Sequence, residues 1–382
     1  MIETIVQLEH KEDFGEQGFY SNSYLALDKR LNQLVAVKDV YPQNVSSESD
    51  YEKYFDEAKK LFFARHPRVL PVIFVGFCNN SGEEKKPRIV TKYFKKGSLN
   101  GLIKDRYSTG KSLSLQEILR YAFDIVQGMI HLHSLNILHL DLKASNVFVG
   151  DDDKLVLADF GQSQFILNGI VKVGRNIYPA ILPPEGAVKK AVDKTADIYQ
   201  FGLLLYSLMN YSYYRSSLEN NYQLNTDVLV KLFRNDSTKE EKEAFGDNLN
   251  RYMDDIQNGM FPEKVKIPFN LHPKLIKIVE RCITADIAKR FGSFHDVLNE
   301  LSNVNVCKGV RNITYEFSTK KVFFEKKFSA GKYKLCEISI EKKDNKYSLS
   351  PVKNGTRSHA NKITEVTEAK IHKTVFDIID KL

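Results

Sequence analysis

At Gly97 the hydrophobic pattern of this 382-residue chain changes period. From about Val6 to Phe94, β-type runs such as YLAL, LVAVK, LPVIFVGF and RIVTKYF are separated by turn-like stretches, and one helical run, Ser49 to Arg65, interrupts them. Side chains on a strand alternate between two faces, so such runs ask for a sheet. After Gly97, apolar residues return at steps of three and four in LQEILRYAFDIVQGMIHLH and DIYQFGLLLYSLMN. That spacing lines one face of a helix. A small β-rich lobe followed by a larger helical one is an α+β, bilobal arrangement, and the cleft between such lobes is where ligands bind.

The expected units are residues 1–94 for the small lobe, 95–304 for the large lobe and 305–382 for a small appended β/α domain. The large lobe contains a polar, Asn- and Lys-rich region at 210–268 with two amphipathic helices, DVLVKLF and NLNRYMDDI. Its expansion suits a docking surface, with a solvated insertion as the alternative. In the last unit, ITYEF, KVFFEKKF, KYKLCEISIEKK and KYSLSPV predict strands, with turns at Ala330-Gly331 and Asp344-Asn345. Ile363 to Leu382 predicts a terminal helix.

An apolar share of 42% and a charged share of 27% suit a globular protein. Cys78, Cys282, Cys307 and Cys336 are isolated, with no C-x-x-C pair, which argues against structural zinc and against a secreted disulfide framework. The opening MIETIVQLEHKEDF lacks the apolar run of a signal peptide. The most apolar segment, Ile198 to Met209, is shorter than a membrane span and includes Gln200, so no membrane partner is expected. A cytoplasmic location follows as the expectation. Of the charged residues, 17 basic and nine acidic ones lie from Asn305 onward, a difference equal to the whole net charge of +8. Three readings stay open for this basic tail: nucleic-acid or anionic-partner binding, a regulatory or substrate-docking module, or packing onto the large lobe.

The chemistry concentrates in His139-Leu-Asp141-Leu-Lys143-Ala-Ser-Asn146, followed thirteen positions on by Asp159-Phe160-Gly161. Phosphoryl transfer asks a protein mainly for positioning and electrostatics. A carboxylate must orient the attacking hydroxyl, a cation must sit by the transferred group, and oxygen donors must hold Mg²⁺. Asp141, Lys143 and the pair Asn146 and Asp159 are of the right types.

These residues resemble the protein-kinase family, whose motifs recur here in order over roughly residues 8 to 302. The resemblance implies a bilobal protein kinase fold, ATP and Mg²⁺ (Mn²⁺ as an alternative) as cofactors, and protein substrates. Val35-Ala36-Val37-Lys38 looks like the strand whose lysine contacts phosphates, and Glu57 resembles its ion-pair partner. Ile89 to Phe94 looks like the hinge, with Thr91 as gatekeeper and the backbone of Lys92 and Phe94 facing adenine. Ser23 falls at the roof of the nucleotide site, and Ala36 and Phe148 complete the sandwich. Pro183-Pro184-Glu185 resembles the end of the activation segment. Asp197 and Arg290 match the family's helix F aspartate and late arginine, the latter expected to pair with Glu185. His139 and Phe160 are expected to be structural. The Pro-Glu, Asp197 and Arg290 elements separate the chain from small-molecule phosphotransferases, and Lys143 points to serine/threonine rather than tyrosine kinases. VAVKDVYPQNV resembles bacterial members more than animal ones.

The chain also departs from the family. The nucleotide-covering loop places Glu16, Gly18 and Ser21 where three glycines are expected, with Gly15 compensating by a shifted turn. Leu140 replaces the arginine that pairs with a phosphorylated activation loop, so loop phosphorylation should matter less. The threonine pattern before Pro183 is absent, and Tyr178-Pro179 stands nearby. The expected function is transfer of the ATP γ-phosphoryl group to serine or threonine hydroxyls of proteins, the chain itself included. The alternative is a pseudokinase scaffold or switch that binds nucleotide without efficient transfer.

Overall fold

The computed structural model of the chain describes residues 6–14, 21–41, 55–78, 86–166, 168–172, 178–189, 191–224, 237–258, 260–261, 267–327, 332–353, 356–357 and 362–381. The period-two runs form five strands: β1 (Leu8–Asp13), β2 (Ser21–Asp28), β3 (Gln33–Val40), β4 (Val72–Cys78) and β5 (Lys86–Lys92). They pair antiparallel in the order β1-β2-β3-β5-β4. Tyr24, Ala26, Val35, Val37 and Val90 fill one buried cluster of this sheet. Helix α1 (Asp56–Phe63) buries Ala58 and Leu61 and carries Asp56 and Glu57 in its first turn, where the helix dipole favours carboxylates. It covers the later part of the expected Ser49–Arg65 run, and residues 42–54 lie outside the described residues.

The helical lobe contains α2 (Leu99–Ser108), α3 (Leu115–Ser134), α4 (Pro184–Lys189), α5 (Thr195–Met209), α6 (Tyr211–Ser216), α7 (Lys239–Gln257), α8 (Pro273–Cys282) and α9 (Phe294–Ser302). Six short strands interleave with them: β6 (Ile137–Leu138) pairs with β9 (Gln164–Phe165), β7 (Val147–Val149) with β8 (Leu155–Leu157), and β10 (Val171–Lys172) with β11 (Ala191–Val192). Helix α3 starts on a capping box: the Ser114 hydroxyl accepts from the Glu117 N–H, and the Glu117 carboxylate accepts from the Ser114 N–H. Every residue of α5 is buried, as expected of a helix that is apolar almost all round. At Gly202 a Cβ would lie 2.6 Å from the Cys282 Cβ, so the missing side chain is what lets α5 and α8 close on each other. Of the 210–268 region, NLNRYMDDI lies in α7, whose Tyr252, Met253 and Ile256 are buried. DVLVKLF lies outside the described residues.

The tail forms β12 (Val310–Glu316), β13 (Lys321–Lys327), β14 (Tyr333–Lys343), β15 (Lys346–Lys353), β16 (Thr356–Arg357), β17 (Ile363–Thr367) and helix α10 (Glu368–Lys381). The sheet order is β12-β13-β14-β15-β16, and β17 pairs with β15. Asp344-Asn345 turns the chain between the paired Lys343 and Lys346, with Asp344 at φ +53°. Ala330-Gly331 lies outside the described residues. The helix expected from Ile363 begins only at Glu368. The β-branched Ile363, Thr364, Val366 and Thr367 extend instead, and Val366 is buried opposite Tyr347.

The tail packs onto the large lobe, and the buried side chains of both form one continuous cluster. Residues 110–112 pair with the edge of β12: Ser112 N–H donates to the Tyr315 carbonyl (2.9 Å) and Phe317 N–H to the Gly110 carbonyl (3.1 Å). The Asn270 amide bridges the carbonyls of Leu113 and Ile313, 3.1 Å from each. Some of the tail's basicity serves its own fold. The Lys326 ammonium donates to the carbonyls of Ile379 and Asp380 at the negative end of α10. No helix among the described residues is long and apolar enough to cross a membrane.

Candidate active site

Strand β3 and helix α1 meet at the cleft. The Lys38 ammonium lies 2.7 Å from Glu57 Oε2 and 3.7 Å from Asp159 Oδ1. Burial works against the Lys38 charge, yet the two carboxylates outweigh it and hold its pKa above the ordinary value. The Asp159 carboxyl is pushed up by burial, but Lys38 and then Lys143 hold it below the usual range. Its side chain remains 45% exposed to the cleft. Asp159 sits at φ +57°, and Gly161 follows where a Cβ would press within 3.2 Å of the carboxylate.

The opposite wall is the loop after β6. Lys143 Nζ lies 2.9 Å from both Asp141 oxygens, and the Asn146 amide donates to Asp141 Oδ2 (2.7 Å) and to the Asp141 carbonyl (2.9 Å). Burial raises the Asp141 pKa, Lys143 works against that rise, and Asp159 adds to it. His139 stays beneath this loop, fully buried, with its ring bonded to the Ala158 carbonyl (3.1 Å) and tilted against Phe160 (5.1 Å between centroids).

Helix α5 holds the loop from below. Asp197 accepts the N–H groups of His139 (2.9 Å) and Leu140 (2.8 Å) and contacts His133 Nε2 (2.8 Å). Gln200 accepts the Leu142 N–H (3.0 Å) and donates to the Leu140 carbonyl (2.9 Å). These bonds fix Leu140 at φ +61°, a backbone conformation that a branched side chain adopts only under such constraint. Gln200 entered the sequence reading only as a polar interruption of an apolar run, because its partners lie some 60 positions away.

Burial works to raise the Asp197 pKa, but His133 and the backbone N–H groups hold it below the ordinary carboxylate value. Its stabilising contribution is therefore complete above the unfolded value of about 3.9 and is lost as pH falls through the lower folded value. Asp197→Asn is expected to lower the urea midpoint at pH 7 and to flatten its decline below about pH 4. Parallel declines for the two proteins would contradict the assignment.

Between the walls lies a cavity of about 640 Å³. Ser23, Ala36, Lys38, Glu57, Thr91, Lys92, Phe94, Asn146, Phe148 and Asp159 all line it. Gly15 and Gly18 lie outside the described residues. The Lys92 N–H donates to the Pro71 carbonyl (3.3 Å), so that donor is already used. Phe94 stacks on Phe148 at 5.9 Å and 8°. Phe14 also lines the cavity and stacks on Tyr93 at 5.9 Å and 6°. Sequence alignment pointed to Ser23 for the roof and missed Phe14, which reaches the mouth from the preceding strand.

Among the described residues no cluster of three His, Cys, Asp or Glu side chains is arranged for a metal. Asn146 and Asp159 both line the cavity and offer it oxygen donors, a set that fits a divalent cation completing its shell with water and phosphate oxygens. Beyond the cavity, Arg290 and Glu185 form a buried bidentate pair at 2.8 and 3.1 Å. The position before Asp141 carries no cation. Leu140 packs instead in an apolar cluster with Val171 of β10 and Val192 of β11.

The protein kinase domain model matches residues 8–301. The chain is 27% identical over 300 residues to serine/threonine-protein kinase STY46 of Arabidopsis thaliana, covering 77% of this chain and 43% of that protein. A probable serine/threonine-protein kinase of Clostridium acetobutylicum is 26% identical over 308 residues, 80% of this chain and 41% of its own length. Tyrosine-protein kinase Mer of Mus musculus is 30% identical over 199 residues, 51% of this chain and 20% of its own. The chain thus spans less than half the length of these curated relatives. With the family model matched across both walls of the cleft, the chain belongs to the protein kinase domain family.

Proposed function

We propose that this chain is a serine/threonine protein kinase that transfers the ATP γ-phosphoryl group to protein hydroxyls, its own among them. One observation carries the reading: Lys38, Glu57 and Asp159 stand across a single cleft from Asn146, which holds Asp141 and, through it, Lys143. Lys38, anchored by Glu57, meets the nucleotide phosphates. Asp141 orients the acceptor hydroxyl and takes its proton, and Lys143 balances charge on the group in flight. Asn146 and Asp159 would hold Mg²⁺, which neutralises phosphate charge when bound. The serine/threonine preference draws on Lys143 two positions after Asp141 and on the names of two relatives, whereas Mer is named a tyrosine kinase. The apolar anchoring of Leu140 supports activity without a phosphorylated loop.

Incubation with γ-labelled ATP and Mg²⁺, followed by phosphoamino-acid analysis, tests the reading. Phosphoserine and phosphothreonine on the chain or on a general protein acceptor are expected. Label on tyrosine alone would overturn the preference, and a nucleotide-dependent rise in Tm with no transfer would favour a binding switch.

A further inference from the structure

Tyr178 stands near the end of the segment that runs from Asp159 to Glu185. The Lys143 ammonium lies 5.4 Å from the centroid of its ring, within the reach of a cation–π attraction. The same ammonium is 2.9 Å from both oxygens of Asp141, so it is held between a carboxylate and an aromatic face. The Tyr178 hydroxyl donates to the Leu224 carbonyl (3.1 Å), and Leu224 is fastened in turn to the Leu218 carbonyl through its N–H (2.8 Å). Two residues on, the Tyr252 hydroxyl of α7 donates to the Ala180 carbonyl (2.8 Å). The stretch beside the catalytic loop is thereby tied at two points to the 211–257 region.

A lysine stem is flexible, and its ammonium is useful in transfer only where it is kept in place. We propose that Tyr178 is a positioning residue for phosphoryl transfer, its ring keeping Lys143 on Asp141 and its hydroxyl tying that ring to the 211–224 segment. The inference rests on the kinase reading and gives the expanded region a task in the reaction: it fixes the wall against which Lys143 rests.

The test is a double-mutant cycle in the full chain, reading kcat and both KM values for wild type, Tyr178→Leu, Lys143→Met and the double variant, with Tyr178→Phe alongside. Tyr178→Leu is expected to lower kcat by about tenfold with the KM for ATP unchanged. Tyr178→Phe, which keeps the ring, should recover most of that loss. In the Lys143→Met background, Tyr178→Leu should cost almost nothing further, because the ring has lost the group it positions. Additive losses in the cycle, or a phenylalanine variant as slow as the leucine one, would overturn the assignment. So would a leucine variant with wild-type kcat. No transfer by the wild-type chain would overturn the kinase reading itself, and this inference with it.

Discussion

Asp141→Ala is expected to lower phosphoryl transfer by about a thousandfold while the rise in Tm on adding Mg·ATP persists. The separation follows from which groups face what. Lys38, Glu57 and Asp159 line the cavity and keep their contacts when Asp141 is truncated, and Asn146 loses its bond to Asp141 Oδ2 but keeps the one to the Asp141 carbonyl. Asp141 meets Lys143 and Asn146, and in the proposed reaction its removal takes away the carboxylate that orients the hydroxyl and accepts its proton. Asp141→Asn should lose as much, since it keeps the shape and removes the negative charge. Labelled-phosphate transfer and thermal shift, measured on the same preparations, check both. Undiminished transfer by either variant would remove Asp141 from the mechanism.

Arg290→Met is expected to destabilise the large lobe by about 3–5 kcal/mol, because it strands a buried carboxylate. The Arg290 side chain is 0% exposed and that of Glu185 only 6%. All five guanidinium N–H groups are used: two on Glu185, one on the Thr195 carbonyl, and one each from Nε and Nη2 on the Thr284 carbonyl. Substituting one partner leaves the other desolvated without compensation. The neutral pair Glu185→Gln with Arg290→Met should regain a good part of the loss, since apolar or neutral groups of similar volume suffer no such penalty. Urea midpoints of the wild type and the two variants measure this. A single variant as stable as wild type would show that the pair contributes nothing.

Much of the site was legible because its residues are close in the chain. His139 to Asn146 and Asp159 to Gly161 lie within one hairpin-like stretch, and their residue types announce their chemistry. Asp197, Glu185 and Arg290 were found through the family pattern; Arg290 pairs with Glu185 as expected, whereas the N–H groups of His139 and Leu140 that Asp197 accepts came only with the structure. Other features left no local trace. Gln200 resembles an ordinary polar residue until Leu140 and Leu142 are placed above it. Phe14 is one aromatic at a strand end until Tyr93 folds against it. The terminal helix was expected too early because Ile363 to Thr367 is short enough to suit either state, and pairing with β15 decided for a strand.

By itself the sequence determined the change from sheet to helices at Gly97, the cleft between them and the identities of the charged groups that face it. Those follow from periodicity and from residue type, which act over a few positions at a time. Only the tertiary structure decided that the basic tail shares a core with the large lobe, that Leu140 is anchored by apolar contacts and that Tyr178 rests against Lys143. Such contacts join residues dozens to hundreds of positions apart. Which of many compatible apolar and polar surfaces meet is chosen by the packing of the whole chain, and no local spacing records it.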